Sequence, residues 1–129
     1  MTQAFIIAEL DDDQLVSSTV LYDAYISYTG KYLNMYYNSI DKAIEIATKG
    51  TFSNFEKGGL VRQRDGEDEC IYGDSIDAVT PDIYDYIYYY SKRNDAWMVK
   101  IPNDDCVWFN LSDMIDCMVD NANGDEDNE

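Results

Sequence analysis

The chain has 129 residues, of which 26 are acidic and 9 are basic, so its formal net charge at pH 7 is −17. Because hydrophobic residues make up 46% of the sequence, this acidity belongs to a folded domain and not to a disordered acidic tail. The charge argues against nucleic acid and anionic membranes as direct partners, since both repel an acidic surface.

The amino-terminal part of the chain is predicted to contain a strand and a hairpin. Residues 4–10, AFIIAEL, have the composition of a short strand that the acidic run at residues 11–13 interrupts. Residues 20–28 and 31–38 are rich in tyrosine, isoleucine and leucine, and they flank Thr29-Gly30. This arrangement predicts two strands joined by a turn.

A helix and a second hairpin are predicted next. Residues 40–49 carry apolar side chains at helical spacing, with Ser39 as the N-cap and Gly50 as the stop. After a loop through two glycines, residues 60–63 and 69–72 are predicted to pair across the segment RDGED.

Residues 81–93 admit two interpretations. Thr80, Pro81 and Asp82 form a typical helix start, and two basic residues at positions 92 and 93 suit the other end of the helix dipole. The run IYDYIYYY also alternates like a strand and has high β propensity. We expect the helix and keep the strand as the alternative.

The carboxyl-terminal part is predicted to contain two strands and a helix. Residues 96–101 and 106–111 are the strands, separated by PNDD, and Ser112 is predicted to cap a helix over residues 113–121. The sum is an α+β fold with an antiparallel sheet and about three helices in one compact domain.

Negative charge is segregated along the sequence. Residues 31–64 hold six of the nine bases and three of the 26 acids, and the remainder holds 23 acids and three bases. Arg64 is followed by 27 residues without a base, and residues 101–129 contain no lysine or arginine. Carboxylates in these two stretches are the candidate partner-binding residues: Asp65, Glu67, Asp68, Glu69, Asp74, Asp77, Asp82, Asp85, Asp104, Asp105, Asp113, Asp116 and Asp120.

The last predicted helix gives this charge a definite geometry. At about 100° per residue, Asp113, Asp116 and Asp120 fall within about 60° of arc, while apolar residues occupy the opposite side. We expect the three aspartates to face outward as part of a binding surface. The simpler alternative is a solvated face with no role.

The sequence contains no motif for catalysis or for a bound cofactor. It has no histidine, which removes Ser-His-Asp and Cys-His nucleophiles, and it lacks both glycine loops that cradle phosphates. Three cysteines are too few for a four-thiolate zinc site, and neither Gly66 nor Gly124 has EF-hand ligands before it. We therefore expect a protein that is not an enzyme and that holds no metal or cofactor.

The length and the absence of a linker rich in proline, glycine or serine predict a single α+β acidic domain over residues 1–123. Residues 124–129, GDEDNE, are predicted to be a flexible acidic tail. No signal peptide or membrane span is apparent, and an odd number of cysteines favours free thiols. These features predict a cytoplasmic protein, in the host cytoplasm if a phage encodes it.

A folded domain with segregated negative charge is typical of a protein that binds a basic partner. In charge, size and lack of histidine, the chain resembles the small acidic inhibitors that phages and mobile elements make against restriction enzymes, CRISPR effectors or DNA-repair enzymes. The resemblance, which extends to no motif, implies a DNA mimic whose carboxylates replace phosphates in a basic groove. Two alternatives stay open: an immunity protein that neutralises a basic nuclease toxin, and an acidic interaction domain with no mimicry.

Overall fold

The strand at the centre of the sheet is β1 (Ala4–Glu9), which reads AFIIAE and buries its first five residues. A strand that is covered on both faces needs such a continuous apolar run, because neither of its sides meets water. The computed structural model describes residues 2–63, 69–81, 84–101 and 107–117.

Within these residues the chain forms eight strands and four α-helices, together with two short 3-10 helices at Asp11–Asp13 and Lys57–Gly59. The strands after β1 are β2 (Leu15–Val20), β3 (Thr51–Glu56), β4 (Leu60–Gln63), β5 (Ile71–Gly73), β6 (Tyr86–Ser91), β7 (Ala96–Lys100) and β8 (Trp108–Asn110). The helices are α1 (Lys31–Tyr36), which continues a π-helix at Ile26–Gly30, then α2 (Ile40–Ala47), α3 (Ile76–Val79) and α4, described over residues 111–117.

All eight strands belong to one sheet with the order β4-β3-β2-β1-β6-β7-β8, and β5 pairs with β2 beside this path. Most pairs are antiparallel, whereas β1–β6 and β2–β3 are parallel. The predicted α+β class, with a mostly antiparallel sheet in one compact domain, is confirmed, although the two parallel pairs make the sheet mixed.

The two faces of the sheet are covered differently. Ala4, Ile6 and Ala8 of β1 point to a core that includes buried residues of α1, α2 and α4, and this side is called the helical face. Phe5 and Ile7 point the opposite way, to a smaller cluster that includes residues of α3, and this side is called the α3 face. The alternation follows from the two-residue repeat of a strand.

The predicted hairpin at residues 20–38 is wrong, because most of this stretch is helical. Ile26, Leu33 and Tyr37 are buried at spacings that place them along one side of the continuous helix at residues 26–36. The high β propensity of tyrosine is overridden by this packing against the sheet.

Gly30, which was predicted to lie in the turn of that hairpin, is instead a packing position inside the helix. Its φ is −59°, and a Cβ atom there would lie 3.1 Å from a side-chain methyl group of Leu111 in α4 and 3.3 Å from Ile26. The absence of a side chain therefore lets α4 approach the helix closely.

The predicted pairing of residues 60–63 with 69–72 is also wrong. Both segments contain strands, but β4 pairs with β3 and β5 pairs with β2. The reason lies in Gly58 and Gly59, which have φ angles of 84° and 81° and reverse the chain immediately before β4. Glycine adopts this left-handed region without strain, so the tight turn forms here.

The helix expected at residues 81–93 is wrong, because the described part of this segment contains strand β6 over Tyr86–Ser91, as the alternative interpretation proposed. β6 pairs with β1 in parallel and with β7 in antiparallel register. Thr80 ends α3 instead of starting a helix, because its hydroxyl donates to the Ile76 carbonyl over 2.8 Å. Lys92 and Arg93 lie in the turn between β6 and β7.

Strand β1, helix α2 and strands β7 and β8 were predicted correctly, whereas β2 and β3 were missed. In β2, Ser17 and Ser18 are polar yet buried. The Ser17 hydroxyl donates to the Val79 carbonyl over 2.6 Å, and the Ser18 hydroxyl accepts from the Gly50 N–H over 2.9 Å. These bonds remove the cost of burying a hydroxyl, so a serine-rich strand is stable in the core.

Ionisation of buried tyrosines should unfold the protein at high pH. Burial raises the pKa of Tyr88 well above its ordinary value, and burial with a hydrogen bond to Asp95 raises the pKa of Tyr90 to about 12. The folded state keeps these protons where the unfolded chain, with a pKa of about 10, releases them. Stability is therefore complete below about pH 10 and is lost as the pH rises through the raised values. We expect urea midpoints to be level from about pH 8 to 9.5 and to fall steeply above about pH 10.5.

The control variant is Tyr88→Phe, which removes a hydroxyl that donates to the Ala24 carbonyl over 2.6 Å. It should cost about 1–2 kcal/mol at neutral pH, because a buried hydrogen bond is lost, and it should flatten the alkaline decline. A midpoint that stays level to about pH 11.5 in the wild type would contradict the assignment of buried neutral tyrosines.

Candidate acidic interaction surface

The N-cap of helix α4 lies two residues earlier than the predicted one. The side-chain oxygen of Asn110, the last residue of β8, accepts from the Asp113 N–H over 3.1 Å. Asn110 is therefore the N-cap, and Ser112 lies inside the helix, which corrects the prediction for Ser112. Because the strand leads directly into the cap, the orientation of α4 is fixed by the sheet.

Two of the three aspartates that were predicted to face outward lie in the described part of α4, and both are exposed. Asp113 and Asp116 project from the side opposite Leu111 and Ile115, which are buried in the helical-face core. They lie three residues apart, so they occupy the same side of the helix. Asp120 lies outside the described residues.

A second group of candidate acids lies beside α3. Glu69, Asp74 and Asp77 are all exposed, and no base occurs in the segment that holds them. Asp77 is in the first turn of α3, where a carboxylate interacts favourably with the helix dipole. This interaction is sufficient to explain why an aspartate occupies position 77.

Asp85 has a structural role. Its carboxylate accepts from the Gln3 N–H over 2.8 Å, and the Asp85 N–H donates to the Gln3 carbonyl over 2.8 Å. This reciprocal pair joins the residue before β6 to the residue before β1. A half-buried carboxylate that is already occupied is a poor substitute for a phosphate.

The other seven candidates lie outside the described residues: Asp65, Glu67, Asp68, Asp82, Asp104, Asp105 and Asp120. The predicted tail at residues 124–129 also lies outside them.

The candidates that the structure does describe do not form one patch. Helix α4 packs on the helical face through Leu111, whereas α3 packs on the opposite face through Val79. The sheet therefore separates Asp113 and Asp116 from Asp74 and Asp77. A single protein groove would meet one group or the other.

The acids at the end of β1 are partly neutralised, in contrast to those of α4. The Lys92 ammonium lies 3.1 Å from the Asp11 carboxylate. The backbone N–H of Lys92 donates to the Glu9 carboxylate over 2.6 Å. Among the described residues this is the one ion pair within 4.0 Å. The carboxylates of Asp113 and Asp116 therefore have no described cation beside them.

Acids on α2 were not among the predicted candidates, although the spacing of Asp41 and Glu45 along a capped helix would have identified them. Both are exposed. Lys42 lies on the same helix and Lys49 follows its end by two residues, so this surface carries mixed charge. Mixed charge is typical of a solvated surface and does not indicate a basic partner.

Two tyrosines of β6 belong to the core and are not available to a partner. Tyr88 and Tyr90 are almost completely buried. The exposed tyrosines are elsewhere, and one of them, Tyr72 of β5, is 55% exposed between Glu69 and Asp74 in the sequence. An exposed tyrosine close in sequence to exposed acids therefore occurs at β5.

The described residues offer no arrangement of three or more cysteine, aspartate or glutamate side chains that could hold a metal ion. Cys70 and Cys117 are free thiols, and Cys106 lies outside the described residues. None of the helices in the described ranges is long and apolar enough to cross a membrane.

Comparison with known proteins gave no match to a protein-family model, to a curated protein or to a solved structure. The function of the acidic surface therefore has to be argued from its own geometry.

The cap of α4 gives a test of how that surface is held. Asn110→Ala removes the acceptor for the Asp113 N–H and should lower the free energy of unfolding by about 1 kcal/mol, measured by urea denaturation. The matched control Ser112→Ala should change it by less than about 0.5 kcal/mol, because Ser112 is exposed. A larger loss for Ser112→Ala than for Asn110→Ala would contradict this assignment of the cap.

Proposed function

We propose that the protein is a non-enzymatic inhibitor that mimics duplex DNA and occupies the basic nucleic-acid-binding groove of a target protein in the cytoplasm. The target class is a nuclease, a restriction or CRISPR effector, or a DNA-repair enzyme. The observation that carries the proposal is the outer side of α4, where Asp113 and Asp116 are exposed with no described cation beside them.

The spacing on α4 is suitable for phosphate mimicry. Residues three apart in a helix are separated by about 4.5 Å of rise. Phosphates along one DNA strand are separated by about 3.4 Å of helix axis. Carboxylates held on a rigid helix therefore present negative charge at a spacing comparable to that of a nucleic-acid backbone.

Rigidity distinguishes α4 from the other acidic segments. Leu111 and Ile115 anchor it in the core, and Asn110 caps it, so its charges are held in register before any partner binds. A preorganised charge makes a fixed contact without losing further conformational entropy. Asp74 and Asp77 lie at the start of a helix of only four residues, which holds its charges less firmly than α4 does.

Mutual repulsion of the acids favours binding to a cationic groove. With a net charge of −17, the free protein carries more negative charge than the magnitude of about 8 at which small domains are usually stable and soluble. Arginines and lysines of a DNA-binding groove would neutralise part of this charge. The electrostatic free-energy cost of the excess negative charge is therefore lowest in the complex.

The first test is competition with DNA. The immobilised protein, exposed to bacterial lysate in about 50 mM salt, should retain nucleic-acid-binding proteins and release them in about 500 mM salt, because exposed charges are screened. A short DNA duplex added at low salt should release the same proteins, since it occupies the same basic groove of the target. Mass spectrometry identifies what is retained and released. Binding that survives both treatments would contradict the proposal, and release by salt alone would favour the immunity-protein alternative.

The second test reverses the charge of α4 in the complex thus identified. Asp113→Lys combined with Asp116→Lys should weaken target binding at least about tenfold, because two attractive contacts become repulsive. The variant should fold with stability within about 0.5 kcal/mol of the wild type, since both side chains are exposed.

The matched control is Asp74→Lys combined with Asp77→Lys, which makes the same change of charge on the opposite face of the sheet. It should weaken binding by no more than about threefold, through long-range attraction. Equal losses for the two variants would show that net charge, and not the surface of α4, determines binding.

A further inference from the structure

The least acidic part of the chain forms an aromatic cleft that the proposed function does not use. Three tyrosines, Tyr28, Tyr32 and Tyr36, recur at intervals of four along the helix that was first predicted to be a hairpin. Lys31 and Met35 form a second row at the same interval, directly beside the first. Residues four apart lie on the same side of a helix, so the two rows share one surface.

The aromatic row is held by contacts with the sheet. The Tyr32 ring stacks on Phe55 of β3 at 5.4 Å and on Tyr36 at 5.9 Å, measured between ring centroids. The Tyr28 hydroxyl donates to the Phe55 carbonyl over 2.7 Å. These contacts fix the rings, so the surface they present is already formed.

The opposite wall of the cleft is the turn between β3 and β4. The Tyr37 hydroxyl donates to the Gly59 carbonyl over 2.6 Å, which ties this turn to the end of α1. A Cβ atom at Gly59 would lie 2.5 Å from the Tyr36 ring, so only glycine allows the turn to close against the aromatic row. The cleft between the two walls has a volume of about 350 Å³. This lies in the range of about 300–1,000 Å³ typical of small-molecule sites.

Two lysines give the cleft a positive edge. Lys31 lies in the helix and Lys57 in the opposite turn, and both line the cavity. Neither ammonium forms an ion pair with a carboxylate that the structure describes, because the described pair involves Lys92. Both are exposed, so they are available to an anion from solvent.

We propose that this cleft binds a mononucleotide, with the base against the tyrosine row and the phosphate beside Lys31 and Lys57. The volume fits a small molecule, the rings offer stacking surface, and the lysines offer cationic donors for phosphate. Met35, which is 63% exposed, adds apolar area at the rim.

The net charge of the protein does not prevent such binding. At physiological ionic strength the Debye length is about 8 Å, so exposed acids on distant parts of the surface are largely screened. Burial is the main cause that raises the pKa of Tyr28, and the carboxylates of Asp23 and Glu56 add to it, so two acids do lie near that end of the cleft. The two lysines that line the cleft act on the phosphate directly. The inference does not depend on DNA mimicry, because the cleft and α4 share no residue.

The experiment titrates the full-length protein with AMP, adenosine and inorganic phosphate, followed by the chemical shifts of backbone amides. AMP should give saturable shifts confined to residues 27–36 and 57–58, with a dissociation constant below about 1 mM. Adenosine and phosphate should each bind at least about tenfold more weakly, because each supplies only one of the two contacts. No saturable shift with AMP, or equal binding of phosphate and AMP, would overturn the proposal.

Two pairs of variants separate a specific site from general attraction. Lys31→Gln with Lys57→Gln should weaken AMP binding about tenfold. Lys42→Gln with Lys49→Gln, which removes the same charge from α2 and the turn after it, should leave binding within about twofold. At the exposed Met35, Met35→Glu should weaken binding about tenfold by repelling the phosphate, and Met35→Gln should change it less than about threefold. Equal effects within either pair would overturn the proposal.

Discussion

Burial of β1 on both faces is the constraint from which the remaining architecture follows. A strand with the sequence AFIIAE must be covered on both sides, and the chain does this with α1, α2 and α4 on one face and the short α3 on the other. β1 also pairs with β2 and β6, so its backbone donors and acceptors lie between two strands. The distribution of acidic residues over two opposite surfaces is a consequence of this arrangement.

The sequence predicted those elements whose signals are local. Helix α2 has an N-cap serine and a regular apolar repeat, and its Ser39 hydroxyl accepts from the Lys42 N–H as expected. The errors fall where tertiary contacts decide between two local possibilities. Tyrosine favours strands, yet residues 26–36 are helical because one side of them is buried, and the tyrosines of β6 form a strand because β1 and β7 lie on either side. No single segment contains that information.

The candidate site was predictable to a similar degree. Helical periodicity correctly placed Asp113 and Asp116 on an exposed side, whereas charge counting treated Asp85 as equivalent to them and could not show that it pairs with Gln3. Nor could counting show that the acids beside α3 lie across the sheet from α4. The aromatic cleft was missed because the residues that form its helical wall were assigned to strands, although the interval of four between its tyrosines is a helical signal.

The Tyr37 side chain and backbone connect parts of the chain that are distant in sequence. Its hydroxyl donates to Gly59 in the turn before β4, while its carbonyl accepts from the indole N–H of Trp97 in β7 over 2.7 Å. Trp97 and Tyr37 are both buried, so these bonds are shielded from competing water. The turn before β4 is thus coupled to the opposite half of the sheet through one residue at the end of α1. Opening that turn requires a cooperative fluctuation that spans much of the fold, and its kinetics are those of subglobal unfolding and not of an independent surface loop.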